Sequence, residues 1–238
     1  MQLSGSLNNR NKLRKLVSRL FWSAGWKAIG PFVERLFFTA LLIRTANFTK
    51  LRWLGTPIRQ NVLDLWTIQE TIAQLRPALV IETGTNLGGS SLFFGQLLDL
   101  MGTTGRVVTI DTSRQHEIHH PRVTYLIGDS ASREITDRVS ALVAECGGPV
   151  LVILDSDHSQ AHVARELEAY CGFVTTGSWL LVQDGVIDVL SFFRSSRPGP
   201  LPAIHEFLAR HPEFAIDRER CDRFLISDHP DGWLRRTT

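Results

Sequence analysis

Apolar runs of strand length alternate with helical stretches through most of the chain after residue 60. Runs at residues 78–82, 106–111, 123–128, 150–155 and 179–184 are rich in Val, Ile and Leu and predict strands. Apolar residues at helical spacing predict helices at residues 61–76, 90–101, 132–145, 160–170 and 201–210. Buried strands separated by helices are typical of a parallel sheet covered on both sides. The pattern therefore predicts a doubly wound α/β domain.

The last part of the chain follows a different pattern. Two short apolar runs, residues 214–217 and 223–227, are separated by a charged turn. They predict two short strands that pair in antiparallel fashion. We expect this C-terminal hairpin to lie at the edge of an otherwise mostly parallel sheet.

Charge divides the chain near residue 52. Residues 1–52 hold ten Lys or Arg and one acid, whereas residues 53–238 hold sixteen Arg and twenty-three acids. The two net charges, +9 and −7, give the total of +2. This change of sign predicts a basic arm at residues 1–52 and an acidic domain at residues 53–238. An acidic domain would repel a phosphate backbone, so nucleic acid is not the expected substrate.

Apolar and basic residues interleave between residues 11 and 44 and predict one or two amphipathic helices in the arm. Charges interrupt its apolar stretches, which fall short of the roughly 20 residues of a membrane-spanning helix. Two interpretations stay open: residues 1–50 contact an anionic membrane surface, or they pack against the domain or a second copy of the chain. Three widely spaced cysteines favour a reducing compartment. We expect a cytoplasmic homo-oligomer. Under the first interpretation, residues 1–50 contact the inner face of the membrane.

Polar residues follow every predicted parallel strand. They are Glu82, Asp111, Asp129, Asp155 and the pair Gln183 and Asp184. In doubly wound sheets, ligands bind outside the carboxyl ends of the strands. Because these ends meet at one edge of the sheet, we expect the polar side chains to surround a common ligand site.

A glycine loop, residues 84–89, joins the first strand to its helix and permits close approach of a ligand. Its spacing differs from the GxGxxG of dinucleotide sites, and an acid before it would repel a phosphate. S-adenosylmethionine carries a ribose and an ammonium group but no phosphate, and it fits these residues, with Asp111 placed to bind the ribose diol. The predicted cofactor-binding residues are Glu82, Gly84, Thr85, Gly88, Ser90, Asp111 and Asp129.

The ends of the fourth and fifth strands predict a metal site. Asp155, Gln183 and Asp184 bring two carboxylates and an amide oxygen together, and such hard ligands suit Mg²⁺. A metal there would lower the pKa of an acceptor hydroxyl and hold it for attack on a methyl group. Asp155 and His158 are the candidate catalytic residues. For His158 two roles stay open, a general base or a histidine that orients Asp155.

Several motifs carry a family resemblance over about residues 60–236. They are Leu65-Trp66, Glu82-Thr83-Gly84-Thr85, Gly88-Gly89-Ser90, Asp155-Ser156-Asp157-His158 and Arg197-Pro198-Gly199-Pro200. Together they resemble the cephalosporin hydroxylase family, whose members resemble class I S-adenosylmethionine-dependent O-methyltransferases and are similar to the rhamnosyl O-methyltransferases. The resemblance implies a seven-stranded, Rossmann-like methyltransferase sheet with a reversed edge hairpin. It also implies that Ser130 lies near the adenine and that Asp155, Gln183 and Asp184 hold Mg²⁺.

One position departs from the family. Gln183 stands where the relatives carry a Glu, and residues 185–188 differ from the stretch that follows it in them. Catechol O-methyltransferase, a more distant relative in fold, uses a neutral amide among its metal ligands, so Gln183 is compatible with a weaker metal site. We expect the loop at residues 185–198 to recognise a different acceptor.

The sequence thus predicts Mg²⁺-assisted transfer of a methyl group from S-adenosylmethionine to a hydroxyl of a sugar, on a glycoside or glycolipid, or of another secondary metabolite. Three alternatives stay open. A nicotinamide oxidoreductase would want GxGxxG and a Tyr-x-x-x-Lys pair, yet no lysine follows residue 50. A metal-dependent hydroxylase would use His158 and His162 with a carboxylate. A membrane-docked binding protein would keep the fold without turnover.

Overall fold

A helical arm and a small hairpin precede the main sheet in the computed structural model, which describes residues 24–238. These elements are α1 (Ala24–Thr45), α2 (Asn47–Lys50), β1 (Arg52–Trp53), β2 (Thr56–Pro57) and α3 (Val62–Leu75). The amphipathic positions predicted between residues 11 and 23 lie outside the described residues. The division of the chain at residue 52 stays a prediction.

The middle of the chain alternates strands and helices, as its pattern predicts. The elements are β3 (Leu79–Thr83), α4 (Gly89–Leu100), β4 (Arg106–Asp111), β5 (Val123–Ile127), α5 (Arg133–Cys146), β6 (Val150–Leu154), α6 (Gln160–Tyr170) and β7 (Trp179–Val182). Short 3₁₀ turns follow at Gly185–Asp188 and Ser191–Ser196. The last elements are α7 (Pro200–Leu208), β8 (Phe214–Ile216), α8 (Arg218–Cys221) and β9 (Trp233–Arg236).

Seven strands form one sheet in the order β5-β4-β3-β6-β7-β9-β8. β3 to β7 are parallel, and β9 runs antiparallel to both of its neighbours. The prediction of a mostly parallel, doubly wound sheet with an antiparallel C-terminal pair is confirmed. The chain leaves β3 toward β4 and later returns to β6 on the other side of β3. A ligand crevice is expected at this switch point.

Both faces of the sheet are covered because its central strands are apolar on both sides. All residues of β3 and β6 are buried. On one face, Ile81 and Val152 pack with apolar residues of α5, α6 and α7. On the other face, Val80 and Leu151 pack with α3 and α4. The sheet is thus a rigid layer whose carboxyl edge positions the polar loops.

The predicted strand at residues 223–227 is wrong. This segment is an irregular loop, and the strand that pairs with β8 is β9. Polar contacts with α3 hold the loop away from the sheet: Arg223 pairs with Glu70, with nitrogen to oxygen distances of 2.9 Å, and the Ser227 hydroxyl donates to Asp64 at 2.7 Å. Leu225 adopts φ 65° and is 61% exposed, so the apolar run does not supply a buried face.

The arm helix α1 packs on the domain along only part of its surface. Phe38 is buried against Val186 and Leu190. Other large apolar residues of α1 face outward, and Phe32, Leu36 and Phe37 are 68%, 60% and 57% exposed. None of the helices between residues 24 and 238 combines the length and the apolarity of a membrane-crossing segment.

Candidate active site

The turn between β3 and α4 lies directly against the end of β6. Gly84 has φ 89°, and a Cβ atom there would lie 1.9 Å from the carbonyl oxygen of Asp155. Only glycine fits such a position, because it combines a left-handed backbone with a contact that leaves no room for a side chain. The glycine therefore lets the loops after β3 and β6 meet and close one side of the crevice.

A cavity of about 620 Å³ opens beside this turn at the carboxyl edge of the sheet. It is lined by Gly84, Asn86, Ile110, Asp111, Thr112, Gln115, Gly128, Asp129, Ser130, Asp155, Ser156, Asp157, His158 and His162. Four of the predicted cofactor residues, Gly84, Asp111, Asp129 and Ser130, therefore come together here. Thr85 and Ser90 line a small adjoining cavity of about 80 Å³.

Asp111 is held in the cavity wall by backbone donors. The N–H of Asn86 donates to its Oδ2 at 2.8 Å, and the N–H of Ser113 donates to its Oδ1 at 3.4 Å. Each carboxylate oxygen accepts more than one hydrogen bond, so acceptor capacity remains for a ligand. This arrangement suits the recognition of a diol.

Glu82, by contrast, lies beneath the glycine loop and lines neither of these two cavities. It is 1% exposed, and the Thr109 hydroxyl donates to its Oε2 at 2.6 Å. Burial raises the pKa of Glu82 to about 7, while hydrogen bonds from Ser90 and Thr109 oppose the rise. Contact between Glu82 and a cofactor stays a prediction, as does contact by Gly88.

Three side chains converge between β6 and β7. Asp155, His158 and Asp184 each offer a ligand atom, and these atoms lie within 4.8 Å of one another. His158 Nε2 lies 3.0 Å from Asp184 Oδ2. Burial, and then the negative charge of Asp184, raise the pKa of Asp155 well above its usual range. Two carboxylates so close together favour a cation between them.

Gln183, the third predicted metal ligand, is buried next to this group. Its side chain is 2% exposed, and its backbone N–H donates to the Leu154 carbonyl at 3.0 Å. Its Nε2 has no hydrogen-bond partner among the described residues. The buried amide therefore keeps unused hydrogen-bonding capacity, which is uncommon in a folded interior.

A second cavity, of about 520 Å³, adjoins the first. Its lining is mostly apolar. It comes from α1, α2 and the loop after β2, from the turns after β3, β6 and β7, and from the loop before β9: Leu42, Ile43, Phe48, Arg59, Asn86, His158, Asp184, Val186, Ile187, Phe192, Phe193, Ser196 and Asp228. We call it the acceptor cavity and the first one the cofactor cavity, after the roles that the sequence predicts for residues 185–198 and for the strand ends. Asn86 and His158 line both. His158 thus lies where the two spaces meet.

Several polar residues of the site escape sequence reasoning. The Gln60 side-chain amide donates to Asp155 Oδ2 at 2.7 Å. The backbone N–H of Asp184, which has φ 60°, donates to Nδ1 of His229 at 3.1 Å. Asp228 and His229 fall just beyond the segment wrongly predicted as a strand. Gln60 precedes Asn61, which caps α3, so these residues have the appearance of an ordinary helix start.

A buried carboxylate ties the ends of β5 and β6 together below the cofactor cavity. Glu166 of α6 is 1% exposed and accepts hydrogen bonds from the hydroxyls of Ser130 at 2.5 Å and Ser156 at 2.7 Å. Its hydrogen bond with His162 raises the pKa of that histidine. His162 therefore belongs to this network and not to the group around Asp155, so the described residues do not assemble the two histidines that the hydroxylase alternative requires.

Comparison with known proteins gives a family and a set of similar folds. The family model for rhamnosyl O-methyltransferase/CmcI matches residues 46–237. A rhamnosyl O-methyltransferase from Mycobacterium bovis is 31% identical over 194 residues, which cover 79% of this chain and 79% of that protein. Among solved structures, an apo form of CmcI has a TM-score of 0.64 at 21% identity, and CmcI with Mg and SAM has 0.64 at 22%. Each structural match covers 81% of this chain and 78% of the other.

Proposed function

Because the chain belongs to the rhamnosyl O-methyltransferase/CmcI family and is an S-adenosylmethionine-dependent O-methyltransferase, we propose that its acceptor is a sugar hydroxyl on a glycoside or glycolipid and that Mg²⁺ assists the transfer. One observation carries the proposal. A polar cavity and a mostly apolar cavity meet at His158, next to Asp155 and Asp184. A methyl donor and a hydroxyl acceptor bound in the two spaces would be neighbours at that point.

We assign the cofactor to the larger, polar cavity. Asp111 would bind the ribose hydroxyls, while Asp129 and Ser130 would lie along the adenine side. Asp129 is fixed by Arg165, whose guanidinium lies 2.7 Å from its carboxylate and lowers its pKa. The backbone turn at Gly84 would admit the amino acid part of the cofactor beside Asp155. Binding in this pose would direct the methyl group toward His158.

The residues between β6 and β7 fit a divalent cation. Asp155 and Asp184 would hold it with carboxylate oxygens. Gln183, which precedes Asp184 in the chain, would add its amide oxygen, as the sequence predicts. Repulsion between the carboxylates of Asp155 and Asp184 contributes to the raised pKa of Asp155, and a bound cation would remove this repulsion. When bound, Mg²⁺ would supply charge stabilisation for an acceptor hydroxyl as it loses its proton. CmcI has been solved with Mg and SAM, which supports the choice of this ion.

His158 is placed to take that proton. In the transfer, the acceptor oxygen would form a bond to the methyl carbon as the carbon–sulfur bond breaks, and the hydroxyl proton would pass to the unprotonated ring nitrogen of His158. Asp184, 3.0 Å from Nε2, would stabilise the imidazolium that results. The products are a methyl ether and S-adenosylhomocysteine. Holding both substrates in line supplies a large part of the rate.

Turnover on defined glycosides tests this proposal. The protein is incubated with methyl-labelled S-adenosylmethionine and a panel of phenyl glycosides that includes a rhamnoside, with Mg²⁺ or with EDTA. The expected result is a labelled methyl ether that depends on Mg²⁺. Transfer to a glycoside that EDTA leaves unchanged contradicts the metal role, and absence of transfer to every glycoside contradicts the sugar acceptor.

We also propose that the exposed apolar face of α1 lies on an anionic membrane surface at the inner face of the membrane. Phe32, Leu36 and Phe37 form this face, and the arm that contains them has a net charge of +9. Aromatic and aliphatic side chains combined with basic residues are typical of helices that lie in the membrane interface. Leu42 and Ile43 of the same helix line the acceptor cavity, so a lipid-linked acceptor would enter beside the membrane.

Substitution of the exposed face separates membrane contact from self-association. Phe32→Asp with Phe37→Asp is compared with Leu100→Asp on α4, which removes a 79% exposed apolar side chain elsewhere. We expect only the double variant to lose sedimentation with vesicles that contain phosphatidylglycerol. If the parent does not sediment with these vesicles, and the double variant converts a parent oligomer to monomer, the face is instead a contact between copies of the chain.

A further inference from the structure

One carboxylate in the wall of the acceptor cavity has no part in the mechanism above. Asp228 is 4% exposed and lines that cavity together with His158 and Asp184. It comes from the loop between α8 and β9, well away in sequence from the strand ends that form the rest of the site. A buried acid that faces a cavity is costly unless something binds it there.

The backbone fixes Asp228 in this position. Its N–H donates to Oδ2 of Asp64 at 2.8 Å, and its carbonyl accepts from the N–H of Val186 at 3.0 Å. The neighbouring Ser227 hydroxyl donates to the other oxygen of Asp64 at 2.7 Å. Asp64 is itself 3% exposed and belongs to α3. The loop is therefore tied to two rigid elements, and the carboxylate of Asp228 is preorganised.

The side chain of Asp228 is almost without partners. Asn61 Nδ2 lies 3.5 Å from Oδ1, at the outer limit of a hydrogen bond, and no described residue donates to Oδ2. Asp228 also lies outside the group of Asp155, His158 and Asp184 whose ligand atoms lie within 4.8 Å of one another. Its free oxygen is thus available to a ligand other than the proposed metal.

The surroundings indicate what that ligand is. Phe192 and Phe193, with ring centroids 5.1 Å apart, and Ile187 give the cavity an apolar wall. A few fixed polar groups on a mostly apolar wall are typical of sites that orient a small polar molecule. Arg59 lines the same cavity, and its positive charge disfavours a cationic ligand. A neutral molecule with hydroxyl groups, such as a sugar ring, fits best.

We propose that Asp228 binds the acceptor, accepting a hydrogen bond from a sugar hydroxyl next to the one that is methylated. The inference rests on the proposed sugar acceptor and deepens it. Two neighbouring hydroxyls would then be held at once, one at His158 and the other at Asp228. Asp228 would decide which hydroxyl of the ring faces the methyl donor.

Binding of defined probes tests the inference without turnover. The probes are phenyl α-L-rhamnopyranoside and its 2-, 3- and 4-deoxy analogues, titrated into protein that holds S-adenosylhomocysteine and Mg²⁺. We expect Asp228→Asn and Asp228→Ala to bind the rhamnoside about 5- to 100-fold more weakly, the range for a hydrogen bond lost inside a buried site. One deoxy analogue should bind the parent equally weakly and lose nothing further in the variants. S-adenosylhomocysteine affinity should not change.

Asp217→Asn is the matched control, because it changes a carboxylate that is only 13% exposed, that lines neither cavity and that makes no contact with Asp228. It should lower the melting temperature and change rhamnoside affinity by no more than about threefold. Equal affinity of parent and Asp228 variants, or an equal loss in Asp217→Asn, overturns the inference alone. If the parent binds none of the rhamnosides although it binds S-adenosylhomocysteine, the sugar-acceptor proposal fails and the inference fails with it.

Discussion

His158 connects the two halves of the proposed transfer, since its ring lines both cavities. We predict that His158→Ala lowers the rate of methyl transfer by about 100- to 10,000-fold, as expected for loss of a general base. His205→Ala serves as the control, because that side chain is 56% exposed and pairs with Asp231 outside both cavities. Single-turnover rates and S-adenosylhomocysteine affinity are measured for both variants. Near-parent rates in His158→Ala would assign the proton to another group.

Gly84 should tolerate no side chain. Gly84→Ala places a Cβ atom 1.9 Å from the Asp155 carbonyl oxygen, so the loops after β3 and β6 must separate. We predict loss of S-adenosylhomocysteine binding and a lower melting temperature. Gly102→Ala is the control, because it has a similar left-handed φ of 61° but open space around it. That variant should lose about 1 kcal/mol of stability and keep its cofactor affinity.

The effect of Mg²⁺ on the stability of the protein should depend on pH, because Asp155 and Asp184 lie close together. Because the pKa of Asp155 is raised in the folded protein, the folded state is penalised as pH rises above the unfolded value of about 3.9. A cation that binds the ionised form removes this penalty. We predict that Mg²⁺ raises the melting temperature by about 2–6 °C at pH 8 and much less at pH 5. The same shift at both pH values, or an unchanged shift in Asp155→Asn, would contradict the metal site.

Among the elements, α6 supports the base of the cofactor cavity, because its Glu166 accepts hydrogen bonds from Ser130 and Ser156. The bond to Glu166 raises the pKa of His162 above its unfolded value of about 6.5, so its stabilising effect is full below that pH and disappears as pH rises through the folded pKa. We predict that Glu166→Gln loses more stability at pH 5.5 than at pH 8. Urea unfolding at the two pH values measures the free energy of unfolding of the parent and of the variant. An equal loss at both pH values would exclude an ion pair between His162 and Glu166.

The parallel strands and their helices could be predicted because apolar periodicity and strand-end polarity are local signals. β9 could not: its four residues include only two apolar side chains, Trp233 and Leu234, which are buried between β7 and β8. The loop at residues 223–227 has the stronger apolar pattern, yet contacts with Glu70 and Asp64 of α3 hold it away from the sheet. Tertiary polar contacts outweigh local propensity there.

The two cavities differ in how far sequence could foresee them. The cofactor cavity is built from the ends of consecutive strands. Asp111 and Asp129 could be predicted because ligands bind at the carboxyl ends of the strands in such sheets, and the family resemblance adds Ser130. The acceptor cavity takes its wall from α1, the turns after β7 and the loop that carries Asp228. No periodic signal relates these distant segments, so their meeting is visible only in the folded chain.

For the whole molecule, the division of charge acquires a physical role. The acidic domain concentrates several of its carboxylates at the carboxyl edge of the sheet, where a cationic cofactor and a divalent ion would compensate them. Leu42 and Ile43 of α1 line the acceptor cavity, so the predicted basic arm would belong to the proposed site as well as to the surface. Cofactor, metal, acceptor and arm would thus be arranged around a single junction at His158.

A crystal structure of the protein with S-adenosylhomocysteine, Mg²⁺ and phenyl α-L-rhamnopyranoside tests this arrangement most directly. We predict that the nucleoside lies in the cofactor cavity with its ribose on Asp111 and that the sugar lies in the acceptor cavity. One sugar hydroxyl should lie within hydrogen-bond distance of the His158 imidazole and in line with the cofactor sulfur. A sugar bound elsewhere, or a cofactor whose sulfur faces away from His158, would contradict it.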